Sequence, residues 1–309
     1  MGLTTIQWTS YRGPDGTMLP GYTFNPWIGC TKVQPEGACR SCYAETEDKR
    51  RGWTNDGWGP GKPRYRTSES NWKNPPKWNR EAERAGVRPF VFCASLADVF
   101  DGEVPDEWRK DLFNLIWDTP HLTWLLLTKR PGLALRWQHL HMANGLWAHN
   151  NAWVGYSAGT QKDLDAGANA LLQISAPVRF LSLEPLLELI DVGQLLTYNG
   201  DPETSGAPHL ARMCGVDWIV CGGESGHKAR PMHPDWARSL RNQCNAARVP
   251  FHFKQWGEYR LEPEPNATWA DGTPVDVHLH PYKSERVGKK LAGRILDGRT
   301  WDEFPEVTP

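Results

Sequence analysis

The sequence predicts an α/β protein whose parallel strands build a partial or closed (β/α) TIM-like barrel. Three observations carry this expectation. Six or seven short apolar runs recur along the chain, stretches with helical spacing separate them, and the runs are apolar throughout rather than alternating. A strand covered on both faces keeps no polar side, which is the signature of a parallel sheet under helices. In such an architecture the reactive groups gather just beyond the carboxyl ends of the strands.

The runs are Thr23 to Ile28, Phe90 to Ala94, Thr123 to Leu127, Ala152 to Tyr156, Val178 to Leu181, Asp217 to Cys221 and Pro250 to Phe253. Their β-branched and aromatic content and their small or polar endings mark them as strands. Helices are expected over Cys42 to Arg51, Asp106 to Trp117, Pro131 to His139, Gln161 to Ile174 and Pro234 to Ala247. Pro105 opens the second of these and Pro131 and Pro234 sit in first turns, where a missing N–H costs nothing. Gly52 to Arg88, rich in Gly, Pro, Trp and Arg, reads as a long ordered loop with a short helix near Trp78 to Ala85. The stretch 198–213 reads as a surface insertion. The expected division is therefore a barrel over 1–256 and a polar C-terminal extension over 257–309 packed on its outside.

A chain of 309 residues can bury a full core without staples. With 35 basic and 36 acidic side chains its net charge is -1, so there is no global pull toward nucleic acid or membrane. No apolar run is long enough to span a bilayer, and the first residues lack the apolar core of a signal peptide, so a cytoplasmic location is expected. Seven cysteines is an odd number, and three crowd together, which in a reducing compartment reads as metal binding rather than as disulfides. The 17 tryptophans read as core and loop packing.

The strongest motif is Phe24-Asn25-Pro26-Trp27-Ile28-Gly29-Cys30 followed by Cys39-Arg40-Ser41-Cys42-Tyr43-Ala44-Glu45, a C-x8-C-x2-C spacing at the mouth of the first strand. A structural zinc site wants four protein ligands, and no fourth Cys or His stands at ligand spacing in the segment. Three thiolates suit a 4Fe-4S cluster whose fourth iron is left for a small ligand, the arrangement that binds S-adenosylmethionine. Cys30, Cys39 and Cys42 are the expected metal ligands. The alternative is a zinc or iron-sulfur binding module without enzymatic activity, its site completed by a remote residue such as Cys93, that recognises nucleic acid or a protein partner.

These motifs, with the later F-L-S-L-E-P-L-L, G-G-E-S-G and F-K-Q-W-G, resemble the phage and prophage three-cysteine-motif proteins, a family of unknown function. More distantly the chain is similar to spore photoproduct lyase and its radical S-adenosylmethionine (radical SAM) relatives, which have a C-x-x-C-[YF] cluster loop on a partial TIM barrel. Their usual loop is C-x3-C-x2-C, so the gap of eight here is a departure. The resemblance implies a radical SAM enzyme: an external one-electron reductant, a 4Fe-4S cluster and S-adenosylmethionine cleaved to start radical chemistry on a substrate, with a nucleic-acid base as one candidate.

It also implies roles at the other strand ends. Lys129, in a T-K pair after the third run, is the expected partner of the methionyl carboxylate, with a solvated charge as the alternative. Ser95 and Asp98 resemble a T-D pair that contacts ribose or amine, and read equally well as a helix cap. Ser157 follows the fourth run in a similar place. From the residues alone, Glu184 at a buried mouth needs a cation, with Arg179, Lys129 or a bound ammonium as candidates. Gly222 and Gly223 read as letting backbone approach a ligand, Glu224 as a contact to cofactor or substrate, and Lys254 as a donor closing the seventh run. Tyr43, Tyr156 and Cys93 read as packing before radical relays. Lys49, Arg50, Arg51, Lys62, Arg64 and Arg66, interleaved with Trp53, Trp58 and Tyr65, form a candidate phosphate-contacting and base-stacking loop, or else an exposed charged face.

Overall fold

The computed structural model describes residues 2–141, 150–196, 215–263 and 282–306; the expected insertion at 198–213 lies outside them. In chain order the elements are β1 (Tyr11–Arg12), β2 (Met18–Leu19), β3 (Tyr22–Thr23), β4 (Trp27–Ile28), α1 (Tyr43–Arg51), β5 (Tyr65–Arg66), α2 (Glu69–Trp72), α3 (Asn74–Ala85), β6 (Phe90–Cys93), α4 (Asp106–Trp117) and β7 (Thr123–Thr128). They continue with α5 (Pro131–His141), β8 (Ala152–Ser157), α6 (Gln161–Gln173), β9 (Arg179–Leu183), β10 (Trp218–Gly222), α7 (Pro234–Ala247), β11 (Phe251–Gln255), β12 (Tyr259–Pro263), β13 (Tyr282–Arg286) and α8 (Lys289–Ala292). Among the described residues no helix is long and apolar enough to cross a membrane.

Seven strands form one parallel sheet in the order β11-β10-β9-β8-β7-β6-β3, curled into a half-barrel with helices on its convex side. Because successive side chains point to opposite faces, the apolar runs feed two separate cores. Val91, Cys93, Trp124, Leu126, Val154, Leu181, Ile219 and Phe253 pack with the helices, while Phe90, Phe92, Leu125, Trp153, Phe180, Trp218 and Val220 line the concave side. Trp8, from a short 3-10 turn over Gln7–Thr9, fills that concave side, with ring centroids 4.8 Å from Phe92, 5.9 Å from Phe180 and 6.0 Å from Trp218.

An open sheet leaves two rows of unpaired backbone groups, a template for aggregation. Here the flanking segments cover both. At β3, Thr23 N–H donates to Gly2 O (3.1 Å) and Thr4 N–H to Gly21 O (3.0 Å). At β11, Phe253 N–H donates to Trp301 O (2.9 Å) and Glu303 N–H to Phe251 O (3.3 Å). The C-terminal segment thus does more than wrap the outside: Leu296 and Trp301 join the helix-side core, and Phe304 packs on Trp218 and Phe90.

Two expectations are corrected. The first run is split, since only Tyr22–Thr23 pairs with the sheet and Trp27–Ile28 pairs antiparallel with Tyr65–Arg66. Pro26 offers no N–H to a ladder and restricts Asn25 before it, so the strand cannot continue. Asn25 instead becomes a fastener: its side chain donates to Ser95 Oγ (3.0 Å) and accepts from Leu96 N–H (2.8 Å), and its carbonyl accepts from Thr67 (2.9 Å) and Asn71 (3.0 Å). The stretch Gly52 to Arg88 is also more regular than a loop, holding β5, α2 and a helix α3 that starts at Asn74. Pro75 and Pro76 lie in the first turn of α3, where proline is tolerated, so they open the helix rather than exclude it.

His252 on β11 is fully buried, with neither ring nitrogen hydrogen-bonded among the described residues. Burial pushes its pKa well below the usual range; Asp302 opposes this, and Arg294 and Lys254 add to it. A neutral folded imidazole against a protonatable unfolded one means that the unfolded chain binds more protons below about pH 6.5. Stability therefore falls as pH drops through 6.5 toward 5, with a slope that approaches about 1.4 kcal/mol per pH unit at the lower end for this one group. Denaturant titrations of wild type and His252→Phe at pH 7, 6 and 5 check this. The variant is expected to lose that part of the slope, and parallel curves would contradict the assignment.

Candidate metal centre

The loop from Cys30 to Cys42 lies at the carboxyl ends of the central strands. Its start is fixed by backbone contacts: Cys30 N–H donates to Gly57 O (3.1 Å), Gly59 N–H donates to Cys30 O (3.0 Å), and Gly29 bridges to Ala97 beyond β6. Gly29 has φ +111, and a Cβ there would stand 2.2 Å from Gly57 O, so only glycine admits this approach just before the first cysteine. The middle is tied down by Gln34, whose Nε2 donates to Ser157 O at the end of β8 (3.1 Å) and whose carbonyl accepts from Cys39 N–H (3.0 Å). Arg230 holds it from the other side, donating to Glu36 O and Gly37 O (both 3.1 Å) while pairing with buried Glu224 (2.8 Å). Cys42 is the N-cap residue of α1, and its carbonyl accepts from Thr46 N–H (3.1 Å).

The thiols differ in surroundings. Burial pushes Cys30 up to about 12, Asp98 adds to this, and Arg130, with Nη1 at 3.6 Å from the sulfur, opposes it. Burial also raises Cys42, against the pull of the Glu45 and Ala44 amides at the start of α1 and of the Lys129 charge. Cys39 is buried. Among the described residues no three His, Cys, Asp or Glu side chains stand close enough together to hold a metal ion, so the loop has to draw its thiols in to ligate one. Donor chemistry is where the residues fit a three-thiolate cluster. Cys93, Cys221 and Cys244 are fully buried in the helix-side core, and among the described residues none of them joins a group that could hold a metal ion.

The remaining strand-end residues fall into two groups. On the cysteine side, the Lys129 side chain has no hydrogen bond or ion pair among the described residues, and its charge acts on Cys42. Asp98 is spent inside the protein, accepting from Thr128 Oγ1 (2.7 Å), Lys129 N–H (2.8 Å), Phe100 N–H (2.9 Å) and Arg130 Nη1 (2.9 Å). Ser95 is held by Asn25, and Ser157 is buried at the end of β8. On the far side, Glu184 pairs with Lys254 and accepts from Gln255 Nε2 (3.2 Å). The cation beside Glu184 is thus Lys254, two strands away through β10, and neither Arg179 nor Lys129 of the expected candidates. Arg179 sits at the opposite strand end, donating to Leu172 O (3.0 Å). Gly222 adjoins this pair, where a Cβ would lie 3.3 Å from Glu184 Oε1.

Two readings change. A Cβ on Gly223 would come within 2.1 Å of Trp256 O, so this glycine admits the backbone that follows β11 rather than a ligand. Glu224 is taken by Arg230 and clamps the cysteine loop. Of the radical-relay candidates, Tyr43 is exposed, Tyr156 donates to Asp163 O, and Cys93 is core. Gln34, Arg230 and Asn25 carry no sequence signal that separates them from ordinary loop polars; Asn25 alone stands inside the quoted motif.

The Lys49 to Arg66 segment is largely neutralised within the protein. Lys49 pairs with Glu45, Arg50 and Arg51 with Glu47, Lys62 with Asp56, and Arg66 with Asp111. Arg64 is 0% exposed and paired with Asp101 at 2.8 Å, so it cannot meet a phosphate. Trp58 donates to Asp48 Oδ2 (2.7 Å), and Arg66 stacks on Trp72 at 4.1 Å. Arginine spaced among tryptophans looks the same in sequence whether it faces solvent or braces a loop.

The family profile described as "Protein of unknown function (DUF5131)" matches residues 4–305. No match is found among curated proteins. Among solved structures the chain is similar to a double mutant of spore photoproduct lyase with bound AdoMet and dinucleoside spore photoproduct, at 13% identity and a TM-score of 0.40, over 79% of this chain and 66% of that one. It is also similar to spore photoproduct lyase complexed with dinucleoside spore photoproduct, at 14% identity and a TM-score of 0.39, over 78% of this chain and 65% of that one. The chain thus spans just under two thirds of the length of these proteins.

Proposed function

Because the chain belongs to the DUF5131 family, described as proteins of unknown function, we propose its activity from its own residues: it is a radical SAM enzyme in which Cys30, Cys39 and Cys42 hold a 4Fe-4S cluster. The observation that carries this reading is the donor set. Three thiols share one loop at the carboxyl end of a parallel half-barrel, and the other described cysteines are locked in the core. When bound and reduced, such a cluster supplies the electron that breaks S-adenosylmethionine at its sulfonium.

What this chain's residues contribute follows from their placement. Lys129, unpaired and acting on Cys42, is the contact for the methionyl carboxylate. Glu184 and Lys254 present a negative and a positive group side by side, the complement of a zwitterion or of ribose and amine groups. Ser95 and Ser157 offer hydroxyls at the ends of β6 and β8, with β7 between them, and Asp98 orients the Lys129 backbone. The aromatic plug of Trp8 and Phe304 keeps water out of the concave side, which radical chemistry requires. A nucleic-acid base as substrate draws no support from the Lys49 to Arg66 segment, whose cations are paired within the protein.

Calorimetric titration of the anaerobically reconstituted protein with S-adenosylmethionine tests this reading. Wild type is expected to bind, and Lys129→Ala to bind more weakly by about 1.5 to 3 kcal/mol, the worth of one charge-assisted contact, with its iron retained. Unchanged affinity would remove Lys129 from the site. No binding by wild type would remove the cofactor.

A further inference from the structure

Arg130 ends the Thr128-Lys129-Arg130 stretch beyond β7, and its side chain is 7% exposed. Nη1 lies 2.9 Å from Asp98 Oδ2 and 3.6 Å from the Cys30 sulfur. Nη2 donates to Thr31 O and stands 3.7 Å from Asp101 Oδ1. Asp101 in turn pairs with Arg64, whose Nη2 donates to Thr31 Oγ1 (2.7 Å). Two buried guanidinium groups and two buried carboxylates therefore converge beneath Cys30-Thr31. Well-packed apolar groups commonly match or exceed the stability of such a network, so stability alone does not account for it. The planar guanidinium fork serves a carboxylate, a carbonyl and a sulfur in fixed directions, a geometry that a lysine ammonium on its flexible stem does not reproduce.

We propose that Arg130 is the positioning residue of the metal centre: it ties Cys30 and Thr31 to the end of β7 and keeps a fixed positive charge against the Cys30 sulfur. The proposal rests on Cys30 being a cluster ligand. A cationic donor at a ligating sulfur favours the more negative, reduced state of a cluster, so Arg130 raises the reduction potential as well as fixing the ligand.

The test compares reconstituted wild type, Arg130→Lys and Arg130→Gln by iron content, by redox titration followed with electron paramagnetic resonance, and by thermal melting. Arg130→Lys keeps a charge against both buried carboxylates and is the variant that should stay folded. It is expected to bind iron with a midpoint potential shifted negative and an altered signal from the reduced cluster; Arg130→Gln, where it folds, shifts further. In the apo protein, the rate of Cys30 alkylation, followed by mass spectrometry, is expected to change in Arg130→Lys, because its tether is altered, while Cys42 keeps its wild-type rate. A wild-type potential and signal in Arg130→Lys would overturn the proposal and leave the cluster standing. Absence of iron in wild type would overturn the cluster itself, and with it the premise.

Discussion

Trp8→Ala is expected to destabilise the protein by about 3 to 5 kcal/mol, the cost of emptying a large aromatic site in a packed core. The indole is 2% exposed and touches rings from β6, β9 and β10 at once, so its loss leaves a hole that no single strand can close. Trp8 fills the space that an eighth strand would enclose in a closed barrel. Trp8→Phe should recover part of the loss, because a smaller ring still meets Phe92. Guanidinium denaturation followed by circular dichroism measures both. A loss below about 1 kcal/mol for Trp8→Ala would mean that the site collapses freely and that the half-barrel does not depend on its plug.

Arg230→Ala is expected to act on stability and on the metal centre together. It leaves the Glu224 carboxylate buried without its partner, which costs about 3 kcal/mol, the low end for breaking a buried pair because the Arg230 side chain is 25% exposed. The same change removes both donors that hold Glu36 and Gly37, so the cysteine loop loosens. Iron retention during anaerobic gel filtration should fall in Arg230→Ala and stay low in Arg230→Ala/Glu224→Gln, which regains stability but not the donors to Glu36 and Gly37. Full iron retention in the single variant would show that the clamp braces the fold alone.

The half-barrel was largely legible because parallel strands under helices must be apolar on both faces, and runs such as Ala152 to Tyr156 and Thr123 to Leu127 have no polar side. Helix α4 was legible to its bounds, since Pro105 precedes it and its apolar spacing stops at Trp117. The split at Pro26 was not, since a proline inside an aromatic run could equally have ended the strand or sat at its edge. Pairings through space were less legible still. Glu184 and Lys254 are 70 positions apart and meet only because β10 lies between their strands. The burial of Arg64 depends on Asp101 and Thr31, neither near it in sequence, so its neighbours Trp58 and Tyr65 gave it the look of a nucleic-acid contact. Trp8 stands outside the repeating strand and helix units, and nothing in its own segment marks it as core.

The central claim is that Cys30, Cys39 and Cys42 ligate an iron-sulfur cluster, and metal and sulfide analysis of the protein reconstituted without oxygen tests it most directly. About four irons and four sulfides per chain are expected, with broad absorption in the visible blue, and replacement of any of the three cysteines by Ala should abolish them while Cys93→Ala does not. Stoichiometric zinc with no iron under the same conditions would contradict the claim.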